Sequence, residues 1–491
     1  MASCRRVTAK VGNDGGHMRT KPVSRTTVAS RFRDAVDEFA TVSPARFAIG
    51  IFTALIFILT LVLSLPIAHA EGQQTSAADA LFTAVSVICV TGLSVVDMAT
   101  HWSLFGNVAI LVGLQVGGIG VLTLASIMGL VVSRRLGLRT RLMAASDSNP
   151  SRIHHGPVSE SQAIRLGEIG GLLATVALSA LVIEVGVAIA IFPSLLVAGF
   201  DTWTAAWQSF YYAASAFTNT GFTPNAEGLE LFTADPWMLT VLAIAVFLGS
   251  VGFPVIFALT RGWRTPRRWP VHVKLTLFTT IALIILGALA IALLEWSNPQ
   301  TLGSDPPGSR PLTAGFMSVM TRSGGFATID LAQANGSTLL VMDMLMFVGG
   351  GSASTAGGIK VTTLAVLFLA AFAEARGDED MQVFDRRIPT DVLRLAVSVV
   401  LWGATIVAAA SIFLLQLTKA PLDFVLFDVI SAFATCGLST GLTETLPDAG
   451  KYVLSATMWA GRVGTVTLAA ALAATQRRQL FRRAEERPIV G

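Results

Sequence analysis

Eight long apolar runs occupy much of this 491-residue chain. A helix needs about 20 apolar residues to cross the hydrocarbon layer of a bilayer, and most of these runs reach that length. Only 13% of the residues are charged, whereas soluble domains carry about 25%. We therefore predict eight transmembrane helices, at about 47–67, 103–132, 169–192, 237–259, 275–294, 338–372 (interrupted), 394–416 and 451–474.

The connections between these runs alternate between basic and nearly neutral. Most of the 35 lysines and arginines lie in five segments, whereas 68–102 and 196–236 contain none. Because cytoplasmic loops carry the positive charge of membrane proteins, we expect both termini in the cytoplasm of a multi-pass plasma-membrane protein. The net charge then requires no nucleic-acid partner, although basic loops can contact anionic membrane lipid. The basic segments are 1–46, 134–165, 261–274, 360–394 and 477–487.

Each nearly neutral connection contains an apolar segment that is too short to span a membrane. Such lengths are typical of re-entrant or interfacial helices. Each segment is followed by a small polar turn with a glycine, and these glycines recur at intervals of 104 to 129 residues. Repetition on this scale indicates a repeated module. The short segments are 76–90, 203–217, 309–321 and 421–434, and the glycines are Gly92, Gly221, Gly325 and Gly437; Ser86, Ser215 and Ser431 each lie six residues before their glycine.

A helix followed by an extended turn can direct backbone carbonyl oxygens towards a common axis. Rings of carbonyls replace the hydration shell of a potassium ion in channel filters. Glycine suits such a turn because it accepts a positive φ and leaves the lumen open. The alternative is that each turn simply joins two helices, but four equivalent copies favour a filter. The predicted filter residues, with potassium at their backbone carbonyls, are Val90, Thr91, Gly92, Asn219, Thr220, Gly221, Ser323, Gly324, Gly325, Thr435, Cys436 and Gly437.

Enzyme chemistry has no support in the sequence. The three cysteines are isolated, the six histidines form no HExxH pair, and no catalytic dyad or triad is apparent. We expect no covalently bound cofactor and no catalytic residue.

Eight motifs are distributed along residues 45–475: SVICVTGLSVVD (86–97), LQVGGIGVLTL (114–124), SAFTNTGFT (215–223), FLGSVGFPV (247–255), TRSGGF (321–326), FVGGGSASTAGGIKVTT (347–363), SAFATCGLSTGL (431–442) and GRVGTVTL (461–468). Taken together, they resemble the Trk/Ktr/HKT superfamily of potassium transporters, most closely its Ktr-type membrane subunit. The resemblance implies an all-α membrane protein with four M1–P-loop–M2 repeats, which are eight transmembrane helices and four re-entrant pore helices around one pore.

The resemblance implies a division of the chain and a set of partners. The repeats would span 45–133, 166–260, 274–373 and 391–475, with cytoplasmic tails at 1–44 and 476–491. It also implies a homodimer with one pore per protomer. A cytosolic ring of nucleotide-binding regulatory subunits, as in Ktr systems, would dock on the cytoplasmic face, so nucleotide acts only through that partner. Potassium is the transported ion, with sodium as a possible activator.

The sixth apolar run is interrupted by GGGSASTAGG, residues 349–358, which we call the glycine loop. A phosphate-binding loop does not fit, because Lys360 follows Ile359 rather than glycine. A helix kinked on small residues is one interpretation. The resemblance favours another, a flexible intramembrane gate below the filter. The predicted gate residues are Gly349, Gly350, Gly351, Ser352, Ser354, Thr355, Gly357, Gly358, Lys360 and Arg462.

Arg462 lies within the last apolar run. A buried arginine costs about 3 kcal/mol on insertion scales, so it needs a pore-facing or paired position. We expect it to raise the barrier to cations and to attract carbonyls of the glycine loop. The alternative is a structural ion pair with Glu184 or Asp343, the other charges in apolar runs. Glu184 itself is a weak candidate for a proton site.

Two departures from the family pattern concern selectivity and gating. The third turn reads SGGF where TAGF is usual, and the glycine loop lacks a proline that is common there. Neither removes a filter glycine, and Gly92 is retained; in the plant branch, serine at that position goes with sodium preference. We therefore expect potassium uptake, with a sodium-selective or sodium-coupled transporter of the same fold as the alternative. A solute symporter is disfavoured because the repeats run parallel rather than inverted.

Overall fold

The computed structural model describes residues 44–120, 166–226 and 228–464. The N-terminal tail, the end of the first predicted repeat and the C-terminal tail lie outside the described residues. The described part is mostly helical. Its helices are α1 (Pro44–Leu63), α2 (Ala77–Ile88), α3 (Leu104–Gly120), α4 (Leu166–Val197), α5 (Thr202–Phe217), α6 (Pro236–Val251), α7 (Phe253–Gly262), α8 (Val271–Glu295), α9 (Arg310–Met320), α10 (Gly336–Phe347), α11 (Val361–Arg376), α12 (Thr390–Thr418), α13 (Leu422–Ala434) and α14 (Asp448–Trp459), which continues as a π-helical turn (Ala460–Gly464).

The helices follow one another in four series. Each series contains a first helix, a short helix and a second helix: α1–α2–α3, then α4–α5–α6 with α7, then α8–α9–α10 with α11, and finally α12–α13–α14. The arrangement of these series as four M1–P-loop–M2 repeats, and the repeat boundaries, stay predictions. Short 3₁₀ turns lie in the connections, at Pro66–Ala68, Glu230–Phe232, Pro266–Arg268, Leu302–Ser304, Leu331–Gln333 and Leu442–Thr445.

Three described helices are long and apolar enough to cross a membrane: Thr175–Val197, Val271–Glu295 and Thr390–Thr418. The count rises to four if the bent pair α6 and α7 forms one span. Two of the eight predicted spans, 103–132 and 451–474, run beyond the described residues, and the number eight stays a prediction. The interruption predicted in the sixth run is present, because α10 ends at Phe347 and α11 begins at Val361.

The span predicted at 237–259 is not a continuous helix. The chain bends by 102° between α6 and α7, at Gly252, whose φ is +89°. A glycine accepts this left-handed backbone without the strain that a Cβ would bring. The bend also leaves the last carbonyls of α6 without helical N–H partners, and these carbonyls become acceptors for another segment of the chain.

The short helices of this fold are more buried than its long helices. The short helix α13 is almost entirely buried from Val425 to Ala434. In contrast, long helices such as α8 expose Phe278, Ile285 and Leu293. Large exposed apolar side chains on a helix whose other face is packed are typical of a surface in contact with lipid. The short helix α13 therefore lies inside the fold, whereas α8 presents an apolar face at its surface.

Acidic and hydroxyl side chains cap three of the helices that begin in the nearly neutral connections. Ser76 and Asp79 form a reciprocal capping box at the start of α2. Asp201 accepts hydrogen bonds from backbone N–H groups at the start of α5, and Asp235 does the same for α6. Such caps satisfy N–H groups that the helix itself leaves without partners, and so fix where each helix begins.

The described chain departs from an all-helical fold at one short hairpin. Strands β1 (Met381–Val383) and β2 (Arg386–Ile388) pair antiparallel between α11 and α12. Phe384 and Asp385 form the turn with φ values of +49° and +60°. A two-residue turn of this kind usually contains Asn-Gly or Asp-Gly, and the hairpin could not be predicted because Phe-Asp stands in their place.

Candidate functional site

The four short helices end in turns that share one backbone pattern. We call residues 90–92, 219–221, 323–325 and 435–437 the first, second, third and fourth turns. In each turn the first residue and the glycine two positions later both have positive φ. A positive φ is uncommon for residues other than glycine, so four such pairs indicate one required conformation. The first residues are Val90, Asn219, Ser323 and Thr435, with φ of +57°, +61°, +105° and +48°.

The four glycines of these turns lie against one another. A Cβ added to Gly92 would lie 1.7 Å from the Thr220 carbonyl oxygen, and one on Gly221 would lie 2.5 Å from Gly325 Cα. A Cβ on Gly437 would lie 2.4 Å from the Thr91 oxygen and 3.1 Å from Gly325 Cα. The glycines therefore converge, as the sequence analysis expects, and each lacks space for any side chain.

The atoms that crowd these glycines are mainly backbone carbonyls. The oxygens in closest approach belong to Thr91, Thr220, Gly324 and Cys436, and each of these residues directly precedes the glycine of its turn. Four equivalent carbonyl groups, one from each turn, thus meet in one place. Backbone oxygens are hard ligands of the kind that binds alkali cations.

Serine side chains stabilise the first and fourth turns from within. The Ser86 hydroxyl accepts a hydrogen bond from Gly92 N (3.1 Å) and donates one to the Leu93 oxygen (2.7 Å). The Ser431 hydroxyl likewise accepts from Gly437 N at 3.1 Å. The serine-to-glycine spacing in the sequence therefore corresponds to a direct contact. In the second turn, the Ser215 hydroxyl has no hydrogen-bond partner among the described residues.

The third turn has a different arrangement. Val319 takes the position of the bracing serine, six residues before Gly325. Thr91 N and Cys436 N each bond to the carbonyl five residues earlier, whereas Gly324 N bonds to the Met320 oxygen, four residues earlier, at 2.7 Å. The Ser323 hydroxyl donates instead to the Thr435 oxygen of the fourth turn at 3.0 Å. The third turn therefore depends on contacts outside itself.

The glycine loop lies against the bend in the second series. Gly351 N donates to the Ser250 oxygen (2.7 Å), and Thr355 N donates to the Gly249 oxygen (3.2 Å). Both acceptors are carbonyls that the break at Gly252 leaves free. The Thr355 hydroxyl also contacts the Phe217 oxygen at 3.2 Å, at the end of the short helix α5. The loop is thus held beside the second turn by backbone hydrogen bonds.

Three cationic side chains donate to carbonyls of the glycine loop, and two of them, Arg322 and Arg462, are buried. Arg462 Nη1 donates to the Thr355 oxygen. Lys360 Nζ donates to the Ala356 oxygen at 2.6 Å, and Arg322 Nη2 donates to the Gly349 oxygen at 2.6 Å. None of the three forms an ion pair within 44–120, 166–226 and 228–464. Uncompensated positive charge therefore surrounds this loop.

Comparison with known proteins establishes the family. The family described as "TrkH: Cation transport protein" matches residues 27–479. The chain belongs to this family. The Ktr system potassium uptake protein B of Vibrio alginolyticus is 36% identical, over 86% of this chain and 90% of that protein. The protein of the same name from Bacillus subtilis is 33% identical, over 90% of this chain and 96% of that protein.

Two further proteins are similar to this TrkH-family chain. The potassium/sodium uptake protein NtpJ of Enterococcus hirae is 29% identical, over 87% of this chain and 92% of its own length. The crystal structure of the potassium transporter TrkH from Vibrio parahaemolyticus superposes with a TM-score of 0.64, at 19% identity, over 86% of this chain and 84% of that one. The structural likeness shows a shared fold. The chain is therefore a membrane cation transporter with the TrkH fold, and its family is not one of enzymes.

The alternative partners considered for Arg462 do not pair with it. Glu184, which is fully buried in α4, instead accepts a hydrogen bond from Gln115 Nε2 of α3. Asp343 forms no ion pair with Arg462 within the described ranges. The structural ion-pair hypothesis for Arg462 is therefore wrong for these two acids. No cluster of three or more metal-binding side chains occurs within the described part of this TrkH-family chain.

Sequence reasoning missed two parts of this site. Arg322 is not among the predicted filter and gate residues, although it is 1% exposed and contacts the glycine loop. The carbonyls of Gly249 and Ser250 are also not identified from the sequence as acceptors for the glycine loop, because both residues lie within an apolar run. A signal for Arg322 was available, because a charged residue directly follows a short apolar helix at a turn that is expected to be buried.

Proposed function

We propose that this chain is a potassium uptake protein whose four turns form one selectivity filter. The observation that carries the proposal is the convergence of Gly92, Gly221, Gly325 and Gly437 on one another's backbone. In this proposal the four repeats surround a single pore, and a dehydrated potassium ion binds the carbonyl oxygens of the turns. A single polypeptide then supplies all four sides of the filter.

The membrane potential drives uptake in this mechanism. An inside-negative potential contributes about 2.3 kcal/mol per charge per 100 mV, which favours inward movement of a monovalent cation. The chain would span the plasma membrane with both termini in the cytoplasm, because the basic segments cluster on that side of the proposed topology. The ion passes the four turns first and then the glycine loop.

The glycine loop acts as the gate in this proposal. It lies next to the second and fourth turns, since a Cβ on Gly357 would lie 2.0 Å from Thr435 Oγ1 and a Cβ on Gly249 3.0 Å from Thr355 Oγ1. Arg462 and Lys360 hold its carbonyls and add positive charge to the path of the cation. Opening would require the loop to leave these donors.

Regulation would come from outside the chain. The relatives named as Ktr system proteins imply a multi-component system, and this supports a cytosolic regulatory subunit. We propose a homodimer of this chain docked on a ring of nucleotide-binding subunits. Nucleotide acts through those subunits alone in this proposal, and the transporter itself holds no covalent cofactor.

A sodium-selective or sodium-coupled transporter is the second candidate. A relative of this family is named a potassium/sodium uptake protein, which supports this possibility for the chain. The third turn also carries Ser323-Gly324 in place of the usual Thr-Ala. The same fold and the same carbonyl sites serve both candidates, so only ion competition separates them.

Ion flux into liposomes tests the proposal. The full-length protein is reconstituted, a potassium gradient sets an inside-negative potential, and uptake of radioactive rubidium is measured. We expect rubidium uptake that excess external potassium suppresses and equal sodium does not. Equal suppression by sodium would support the second candidate. Uptake that requires an organic solute, or no uptake with or without the potential, would overturn the proposal.

Removing the Arg462 charge tests the gate. Arg462→Gln keeps hydrogen-bonding capacity but eliminates the positive charge. We therefore expect rubidium uptake without the regulatory subunit to rise by about tenfold, which corresponds to a barrier to cation passage lower by about 1.4 kcal/mol. The matched control is Arg387→Gln in the hairpin, an arginine whose side chain is 69% exposed. Unchanged rate and unchanged regulation in Arg462→Gln would contradict a gating role.

A further inference from the structure

We propose that Arg322 and Ser323 are positioning residues that couple the two ends of the glycine loop to the filter, so that movement of these ends alters cation selectivity as well as flux. The inference rests on the proposed function. It assigns a role to the third turn that goes beyond supplying carbonyl oxygens. The argument uses the contacts of two adjacent residues and the absence of an internal brace in their turn.

Arg322 connects the third turn to the beginning of the glycine loop. Its backbone is part of the connection that follows α9, where Arg322 N donates to the Val319 oxygen at 3.1 Å. Its side chain reaches Gly349, 27 residues later, where Nη2 donates to the carbonyl oxygen at 2.6 Å. The side chain is buried, and its Nε and Nη1 have no hydrogen-bond partner among the described residues. A buried guanidinium held by so few acceptors must move when that loop carbonyl moves.

Ser323 connects the same turn to the end of the glycine loop and to the fourth turn. Its hydroxyl donates to the Thr435 oxygen at 3.0 Å and accepts from Gly357 N at 3.4 Å. One small side chain thus joins three segments. Gly357 has no space to shift towards the fourth turn, because a Cβ there would lie 2.5 Å from the Ala434 oxygen. Displacement of Gly357 therefore alters the contacts of Ser323, and through them the Thr435 carbonyl.

The third turn has no serine of the kind that holds Gly92 and Gly437 in place. The first and fourth turns retain the Ser86 and Ser431 hydroxyls when the glycine loop moves, because neither serine contacts that loop through the hydrogen bonds described above. In the third turn, Val319 offers no hydroxyl. The orientation of the Gly324 carbonyl is therefore set by the surroundings of Arg322 and Ser323, which include both ends of the loop.

Arg462 provides the matched comparison. It also donates to a carbonyl of the glycine loop, but it belongs to the turn after α14 and not to a filter turn. Loss of Arg462 should free the middle of the loop at Thr355, while Arg322 and Ser323 still hold its ends at Gly349 and Gly357. Loss of Arg322 should release the loop and also disturb the third turn. The two arginines therefore separate gating from filter geometry.

The experiment measures flux and selectivity together in the full-length protein. Arg322→Gln, Arg322→Lys, Ser323→Ala and Arg462→Gln are reconstituted in liposomes, and the potassium-to-sodium preference is obtained from competition against rubidium uptake. We expect Arg322→Gln to lower this preference about tenfold and Ser323→Ala about threefold, on the scale of one lost hydrogen bond. Arg322→Lys, which keeps a charged donor, should recover most of the preference. Arg462→Gln should raise flux and leave the preference within about twofold of the wild type.

Each result has a defined meaning. A preference within twofold of the wild type in Arg322→Gln, together with altered flux, would overturn the coupling and leave Arg322 as a gate residue. If Arg322→Gln fails to fold, shown by size-exclusion chromatography in detergent, Arg322→Lys and Ser323→Ala decide: an unchanged preference in both overturns the inference. Absence of rubidium uptake by the wild type would instead count against the proposed function itself.

Discussion

The third turn and the first and fourth turns reach similar backbone conformations by different means. In the first and fourth turns a serine hydroxyl six residues before the glycine bonds to the glycine N–H. In the third turn, Arg322 and Ser323 contact the glycine loop and the fourth turn instead. Equivalent turns around one site therefore differ in whether their shape depends on neighbouring segments. A turn held from within keeps its shape when its neighbours move, whereas one held from outside responds to them.

The largest effect should come from the glycine in the most crowded turn. In Gly92→Ala the new Cβ would lie 1.7 Å from the Thr220 oxygen, so we expect rubidium uptake to fall by about 100-fold or more. In Gly325→Ala the closest atoms are carbonyl oxygens at 2.8 Å, and because the third turn is less rigid we expect a loss of about tenfold. Liposome flux at matched protein density measures both.

The control for these variants is a glycine with the same backbone conformation and free space. Gly72 has φ of +82°, and a Cβ there would meet nothing within 4 Å. Gly72→Ala should cost about 1 kcal/mol of stability and leave uptake unchanged. A loss in Gly325→Ala equal to that in Gly92→Ala would remove the proposed difference between the turns.

Removing the serine braces should have the next largest effect. Ser86→Ala and Ser431→Ala each leave a glycine N–H without its acceptor, which costs about 1–3 kcal/mol. We expect lower thermal stability in detergent and reduced uptake. Ser215→Ala is the matched control in the second turn, because its hydroxyl has no hydrogen-bond partner among the described residues. If all three variants behaved alike, the internal brace would not explain the behaviour of the first and fourth turns.

A smaller effect should follow from the ion pair that joins the first and fourth series. Lys451 Nζ lies 2.6 Å from Asp79 Oδ1, at the start of α2, and both side chains are only 14% exposed. Lys451→Met should lower stability by about 1 kcal/mol in chemical or thermal unfolding. The exposed pair Arg387–Asp380 is the control, and Arg387→Met should change stability by less than about 0.5 kcal/mol. A larger change in the control would contradict this ranking.

The smallest effect concerns pH on the connection that follows the first turn. Burial, with a contribution from His69, lowers the pKa of His101 below its ordinary value of 6.5, although Asp79 and Asp97 act in the opposite direction. The folded state thus binds this proton less readily than the unfolded state. Stability from this group is complete above pH 6.5 and falls as the pH decreases below it.

Unfolding temperatures measured between pH 7.5 and pH 5 test this expectation. His101→Gln keeps a hydrogen-bonding group near Thr75, whose hydroxyl contacts His101 Nε2 at 2.7 Å. The variant should show a flatter pH dependence than the wild type. An identical slope in both proteins would assign the pH dependence to other groups.

Much of the order of helices and turns could be predicted from the sequence, because the signals for them are local and repeated. Short apolar segments that end at glycine could be recognised at Gly92 and Gly437 from spacing alone, and their convergence followed from repetition. The break at Gly252 does not follow from that repetition, although Pro254, which has no N–H to continue the helix, marks its position in the sequence. The position of Arg322 after a short apolar helix indicates burial, but its acceptor Gly349 lies 27 residues away, and that contact depends on tertiary packing.

The bend at Gly252 has a consequence for any attempt to transplant the glycine loop. Ser250 and Gly249 offer their carbonyls to Gly351 and Thr355 because the helix stops there. A straight helix would pair the Gly249 carbonyl with the Phe253 N–H, and Thr355 N would then lose its acceptor. The loop and the broken helix thus depend on each other for hydrogen bonds, and a functional graft into another protein must include both.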